Sequence, residues 1–161
     1  MKVRAILAVL IVISASASGT VAAQGSADSY SSDLSRVYWG YYQVLTQKDV
    51  CDSAAPATRS ANGTALAAWQ TKHKALVDEL RRRVTAMIRL ASTDEKDYTR
   101  NLGKYEGAIL QERQDYRESL LKLDAKELRA QCQRMSGVLK GPEADLEKVY
   151  AVELDAIRKR K

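Results

Sequence analysis

Apolar residues recur at intervals of three and four through most of this chain, and no stretch alternates long enough to suggest a sheet. The first stripe is Leu34, Val37, Tyr38, Tyr41, Val44 and Leu45, with Ser32 or Asp33 able to cap its start. Residues 52 to 63, which contain Pro56 and Asn62-Gly63, read as a loop. A long helix is predicted from near Thr64. There Leu66, Trp69, His73, Leu76, Leu80, Val84, Met87 and Ala91 keep the helical period for about seven turns. Ser92 followed by Glu95 fits a capping box for a third helix, whose stripe is Tyr98, Leu102, Tyr105, Ile109, Tyr116 and Leu120. Asp124 with Glu127 caps a fourth segment carrying Leu128, Cys132, Met135 and Leu139, or else the third helix runs on unbroken. Gly141-Pro142 is a stop, and Pro142 suits the first turn of a final helix bearing Leu146, Val149, Tyr150, Leu154 and Ile157.

Helices with one apolar stripe each can bury it only on one another. The expected fold is therefore all-α, an antiparallel bundle of about four to five helices in a single domain.

The start of the chain has a different pattern. Lys2 and Arg4 precede an apolar run from Ala5 to Ile13, and small residues lead to Val21-Ala22-Ala23. This is the layout of a secretory signal peptide, residues 1–23, with cleavage expected between Ala23 and Gln24. The apolar run is shorter than the roughly 18 residues a membrane-spanning helix needs, so no stable membrane insertion is expected after cleavage. The domain then spans 24–161. Its first residues, 24–32, are rich in glycine, serine, alanine and aspartate and read as a flexible start. The expected location is the periplasm or the outside of the cell.

Export changes how the two cysteines are read. In an oxidising compartment Cys51 and Cys132 are expected to pair, closing a loop of about 80 residues that restricts the unfolded chain by roughly 4 kcal/mol. The charge of +6 falls to +4 once Lys2 and Arg4 are removed, and most basic residues alternate with acids. Only Arg81-Arg82-Arg83 and Arg158-Lys159-Arg160-Lys161 are one-signed runs. On a helix the three arginines point in three directions, so they make no single patch, and no nucleic-acid partner is expected.

Candidate chemistry is sparse. His73 is the sole histidine and sits in an apolar stripe, where it reads as a half-buried packing residue. No metal-ligand motif and no cofactor-binding motif is present, so neither a metal nor a cofactor is expected. Glu112 fills the gap between Ile109 and Tyr116. It is the one carboxylate expected to be partly buried, and it would serve as the acid if the protein were an enzyme.

Two signals point instead to binding. A single stripe cannot absorb Tyr38, Trp39, Tyr41 and Tyr42 together, because successive residues lie about 100° apart. Trp39 or Tyr42 must then meet another helix or a partner, and Gly40 suggests a close approach to this backbone. Gly103 and Gly107 lie one turn apart. They mark either helix packing within the bundle or a shallow groove beside Tyr98 and Tyr105. The candidate partner-binding residues are Trp39, Tyr42, Tyr38, Gly103 and Gly107, and none is assigned as catalytic. The function expected by elimination is an exported, non-catalytic protein-binding protein of inhibitor or immunity type. The alternatives are a periplasmic chaperone or envelope-maintenance factor, and a cell-wall-acting enzyme.

Overall fold

The computed structural model describes the backbone of residues 21–160 and the side chains of residues 29–160. The expected signal peptide, up to residue 20, lies outside the described residues. The chain folds as an all-helical bundle of six packed helices: α1 (Val21–Ala54), α2 (Arg59–Leu90), α3 (Glu95–Leu121), α4 (Ala125–Val138), α5 (Leu146–Val149) and α6 (Ala151–Lys159). Residues 24–32, expected to be a loose lead-in, continue α1 as helix.

α1 is the common partner, packing on α2, α3, α4 and α6. α2 runs antiparallel to it. Tyr41 stacks on Trp69, while Tyr38, nearer the start of α1, meets Arg81 further along α2. α3 lies alongside α1 in the same direction, so Ser35 faces Tyr105 and Thr46 faces Arg113.

The turn between α1 and α2 is much tighter than the loop expected over 52 to 63. Only Ala55 leaves helical geometry (φ −141°, ψ 67°), and a 3-10 turn, Pro56–Thr58, leads directly into α2. Proline fits this first turn because the amide hydrogen it lacks would have no helical partner there. Asn62-Gly63, a turn signal in isolation, lies inside α2. Asn62 is buried, and its amide donates to the Thr58 hydroxyl and to the Cys132 carbonyl, each at 3.0 Å. A tertiary bond to α4 thus overrides the local preference.

Cys51 at the end of α1 and Cys132 in the middle of α4 form the expected disulfide, with Cα atoms 5.3 Å apart. Around it Val50, Ala65, Leu128 and Met135 are all buried.

The remaining helix ends obey local chemistry. Asp94, rather than Ser92, caps α3 by accepting from the Asp97 amide, and Asp97 accepts in return from the Thr93 amide. The Ser92 hydroxyl instead donates back to Ile88. Asp124 caps α4 by accepting from the Lys126 and Glu127 amides, so the third and fourth helices are separate.

Gly141-Pro142 stops α4 as expected, but the chain beyond it does not form one helix. A 3-10 turn, Pro142–Ala144, is succeeded by α5, which Asp145 caps, and Tyr150 (φ −111°, ψ 30°) breaks α5 from α6. This segment is clamped to α2. The Trp69 indole donates to the Ala144 carbonyl at 2.6 Å, and Lys72 pairs with Asp145 at 2.9 Å.

Candidate partner-binding cleft

The aromatic cluster of α1 is divided among three neighbours. Tyr41 stacks on Trp69 of α2, with ring centres 5.7 Å apart. Trp39 turns to the other side and meets Tyr116 of α3 edge-on at 6.1 Å. Gly40 lies beneath Tyr150, where a Cβ would come 2.4 Å from the tyrosine oxygen, so this is the close approach the glycine suggested. Tyr38 and Tyr42 face α2 and α3 and are joined by a long hydroxyl–hydroxyl hydrogen bond of 3.4 Å.

Tyr38 and Tyr42 form one wall of a half-open cleft of about 470 Å³. α2 contributes Arg81, Val84 and Thr85, and α3 contributes Tyr98, Leu102, Tyr105, Glu106, Ile109, Leu110 and Arg113. The volume falls within the roughly 300–1,000 Å³ usual for ligand pockets.

The cleft exists because α3 is shallowly seated. Leu120 is the only α3 residue in the fully buried core, while Tyr98, Leu102, Tyr105 and Tyr116 are half-buried. Leu110, at its rim, remains 62 % exposed.

Burial governs the electrostatics of the cleft's phenols. Burial, reinforced by the bond to Tyr38, holds the Tyr42 hydroxyl well above the ordinary tyrosine range. Burial likewise pushes Tyr105 up to about 12. Both phenols are therefore neutral near pH 7 and act as hydrogen-bonding groups rather than acids. Ser35 lies near the Tyr105 oxygen but makes no hydrogen bond of good geometry with it.

Two permanent cations stand at the rim. Arg113 is held by the Thr46 hydroxyl at 3.3 Å and by Asp49 at 3.4 Å, 5.4 Å from the centre of the Tyr42 ring. Arg81 is largely exposed, with Asp78 at 3.7 Å. Outside the cleft Arg81 and Thr85 also line a shallow basic depression shared with Arg82, Ala86 and Arg89. Arg83 turns inward and donates to the Ile157 carbonyl, so the three consecutive arginines do diverge.

The other sequence candidates lie elsewhere. Gly103 and Gly107 sit on the outer face of α3, where a Cβ on either would meet nothing within 4 Å. Packing against a neighbouring helix is not their reason. Glu112 is exposed rather than partly buried. Stepping four residues from Ile109 brings Arg113 inward, whereas Glu112, three residues on, stays outside. A long arginine can bury its stem and keep its charge at the rim, so the stripe accepts it.

His73 is more than half-buried: only 2 % of it is exposed, tilted against Trp69 at 4.9 Å, and its Nε2 has no hydrogen-bond partner. Burial lowers its pKa, and it lies outside the cleft. A second cavity, of about 340 Å³, opens between α1, α4 and α5 beside Gly40 and Tyr150.

Among the described residues no group of three or more His, Cys, Asp or Glu side chains is placed to hold a metal ion. Nor is any helix among them long and apolar enough to cross a membrane. Fold and site together define a disulfide-stapled helical bundle with an aromatic, arginine-rimmed cleft. No family model, no curated protein and no solved structure matches this chain.

Of the residues singled out from the sequence, Tyr38 and Tyr42 line this cleft with Tyr98 and Tyr105, whereas Trp39, Gly103 and Gly107 do not. Sequence reasoning missed Arg81 and Arg113. The available signal for Arg113 was its four-residue spacing from Ile109, which continues the buried stripe through a basic residue.

Proposed function

We propose that this chain is an exported, non-catalytic protein-binding protein of inhibitor or immunity type, and that it binds through the cleft between α1, α2 and α3. The observation that carries this reading is the composition of the cleft: four tyrosines with two arginines at the rim. Tyrosine, tryptophan and arginine dominate the energetic centres of protein interfaces. The secretory layout of residues 1–23 supports export. The disulfide supports a rigid scaffold, and preorganisation lowers the entropic cost of binding.

An inhibitor forms one tight stoichiometric complex, whereas a chaperone binds several unfolded clients weakly. Affinity capture from native envelope and medium, then light scattering of the purified complex, separates the two. Under this reading Tyr42→Ala loses at least about 2 kcal/mol of binding, roughly thirtyfold in Kd. Trp39→Ala, which faces Tyr116, lowers the melting temperature while leaving affinity near wild type. Unchanged binding by a folded Tyr42→Ala variant would place the interface elsewhere.

A further inference from the structure

The rim of the cleft is unevenly charged along α2. Asp78 is the carboxylate shared by Lys74 at 2.5 Å, Arg81 at 3.7 Å and Arg82, so one anion faces three cations. One turn beyond Thr85, Arg89 lies over the Tyr98 ring at 3.6 Å and pairs with Glu95. Arg81 lines the cleft, the basic depression beside it and a third hollow below it, so a partner crossing any of the three meets this guanidinium.

Dimensions narrow the occupant further. The α3 wall runs from Tyr98 to Arg113, about 22 Å at 1.5 Å per residue, or roughly four helical turns. The cleft volume of about 470 Å³ is too small for the body of a helix roughly 10 Å wide over that length. It has room only for a few large side chains.

We propose that the cleft receives an acidic amphipathic helix of about 15 residues from a partner protein. The helix lies along the rim, sets apolar side chains spaced three and four apart against Leu102 and Tyr105, and places a carboxylate on Arg81. This rests on the cleft being the protein-binding site. The charge asymmetry is what selects an acidic partner, since like charges across an interface are strongly disfavoured. At the opposite rim Arg113 is already paired with Asp49 and Glu106 adds a negative charge, so the positive charge left for a partner's carboxylates lies at Arg81.

The test is selection of a displayed library of random 15-residue peptides on the purified protein, with affinity measurement of synthetic winners. Three proteins are compared: wild type, Arg81→Glu and Leu110→Lys. Both substitutions are at exposed positions, and circular dichroism confirms the fold. The expected winners carry apolar residues at helical spacing with carboxylates flanking them. Arg81→Glu should weaken them at least tenfold, and replacing the peptide carboxylates by lysine should restore binding to that variant. Leu110→Lys should weaken them severalfold.

Winners that need Leu110 but show no acidic bias and ignore Arg81 would overturn the acidic-helix assignment and leave the cleft standing. Winners indifferent to both substitutions would overturn the cleft as well. Arg81-dependent binding to phosphatidylglycerol vesicles or to a single-stranded oligonucleotide, with no peptide selected, would assign the basic rim to those ligands and overturn the proposal.

Discussion

The C-terminal end of α1 and its middle sit in contrasting surroundings. At its C-terminal end Val50 and Cys51 are buried with Ala65 of α2 and Leu128, Cys132 and Met135 of α4, and Asn62 ties α2 to α4 through a buried hydrogen bond. Further up, the same helix meets α3, which presents tyrosines and an arginine in place of aliphatic residues and leaves a cleft. Both regions have the same helical periodicity, but the helix packs closely at its C-terminal end and leaves a cleft where α3 supplies tyrosines and an arginine. Tyrosine and arginine keep a polar end at the surface, so a stripe built from them seats a helix without closing its edge. The contrast belongs to the α3 face alone, because Leu34 and Val37 on the upper part of α1 are fully buried.

Substitutions should separate the two regions sharply. Trp69→Ala removes a buried ring that stacks on Tyr41 and holds Ala144, and it should cost about 3–5 kcal/mol in a urea titration. Leu110→Ala, on the α3 rim, should stay within about 0.5 kcal/mol. Similar losses at the two sites would erase the contrast.

The next effect in size is Asn62→Ala, which removes the bond to the Cys132 carbonyl and should cost about 1–3 kcal/mol. A melting temperature equal to wild type would mean that this link is dispensable.

His73 makes the packed region sensitive to acid. Burial lowers its pKa below the ordinary value near 6.5; Asp145 and Glu147 act in the opposite direction, and Lys72 adds to the lowering. Unfolded chains therefore bind this proton more readily than folded ones. The contribution is complete above about pH 6.5 and is lost as pH falls from there toward the folded pKa, by about 1.4 kcal/mol for each unit of separation. Urea midpoints between pH 7.5 and 5 should fall more steeply for wild type than for His73→Gln. Parallel profiles would show that His73 does not set the acid sensitivity.

The smallest change is a gain. Gly107→Ala has open space around the new methyl and should stabilise α3 by up to about 1 kcal/mol. Gly40→Ala must displace the Tyr150 ring and should destabilise. Calorimetry that finds the same sign for both would contradict the seating of these two glycines.

Much of this contrast can be traced to the sequence. The apolar stripes mark the long helices, an even cysteine count points to the disulfide, and Asp124 and Gly141-Pro142 mark true boundaries. The features that were not legible depend on distant residues. Asn62-Gly63 reads as a turn until the Cys132 carbonyl is known to lie against it. The choice between Glu112 and Arg113 for the inward position depends on where α1 places Thr46 and Asp49 to receive a cation. The turn that precedes α5 is held at Ala144 and Asp145 by Trp69 and Lys72, partners more than seventy residues away. The cleft itself is the space left between three helices, and no single segment encodes it.

The central claim, that the cleft is the partner surface, is tested most directly by hydrogen–deuterium exchange of the protein alone and in its captured complex. Amides of residues 98–113 in α3 and 38–42 in α1 should gain protection on binding, while α4 to α6 stay unchanged. Protection confined to residues 125–159, with α3 exchanging as freely as before, would contradict it.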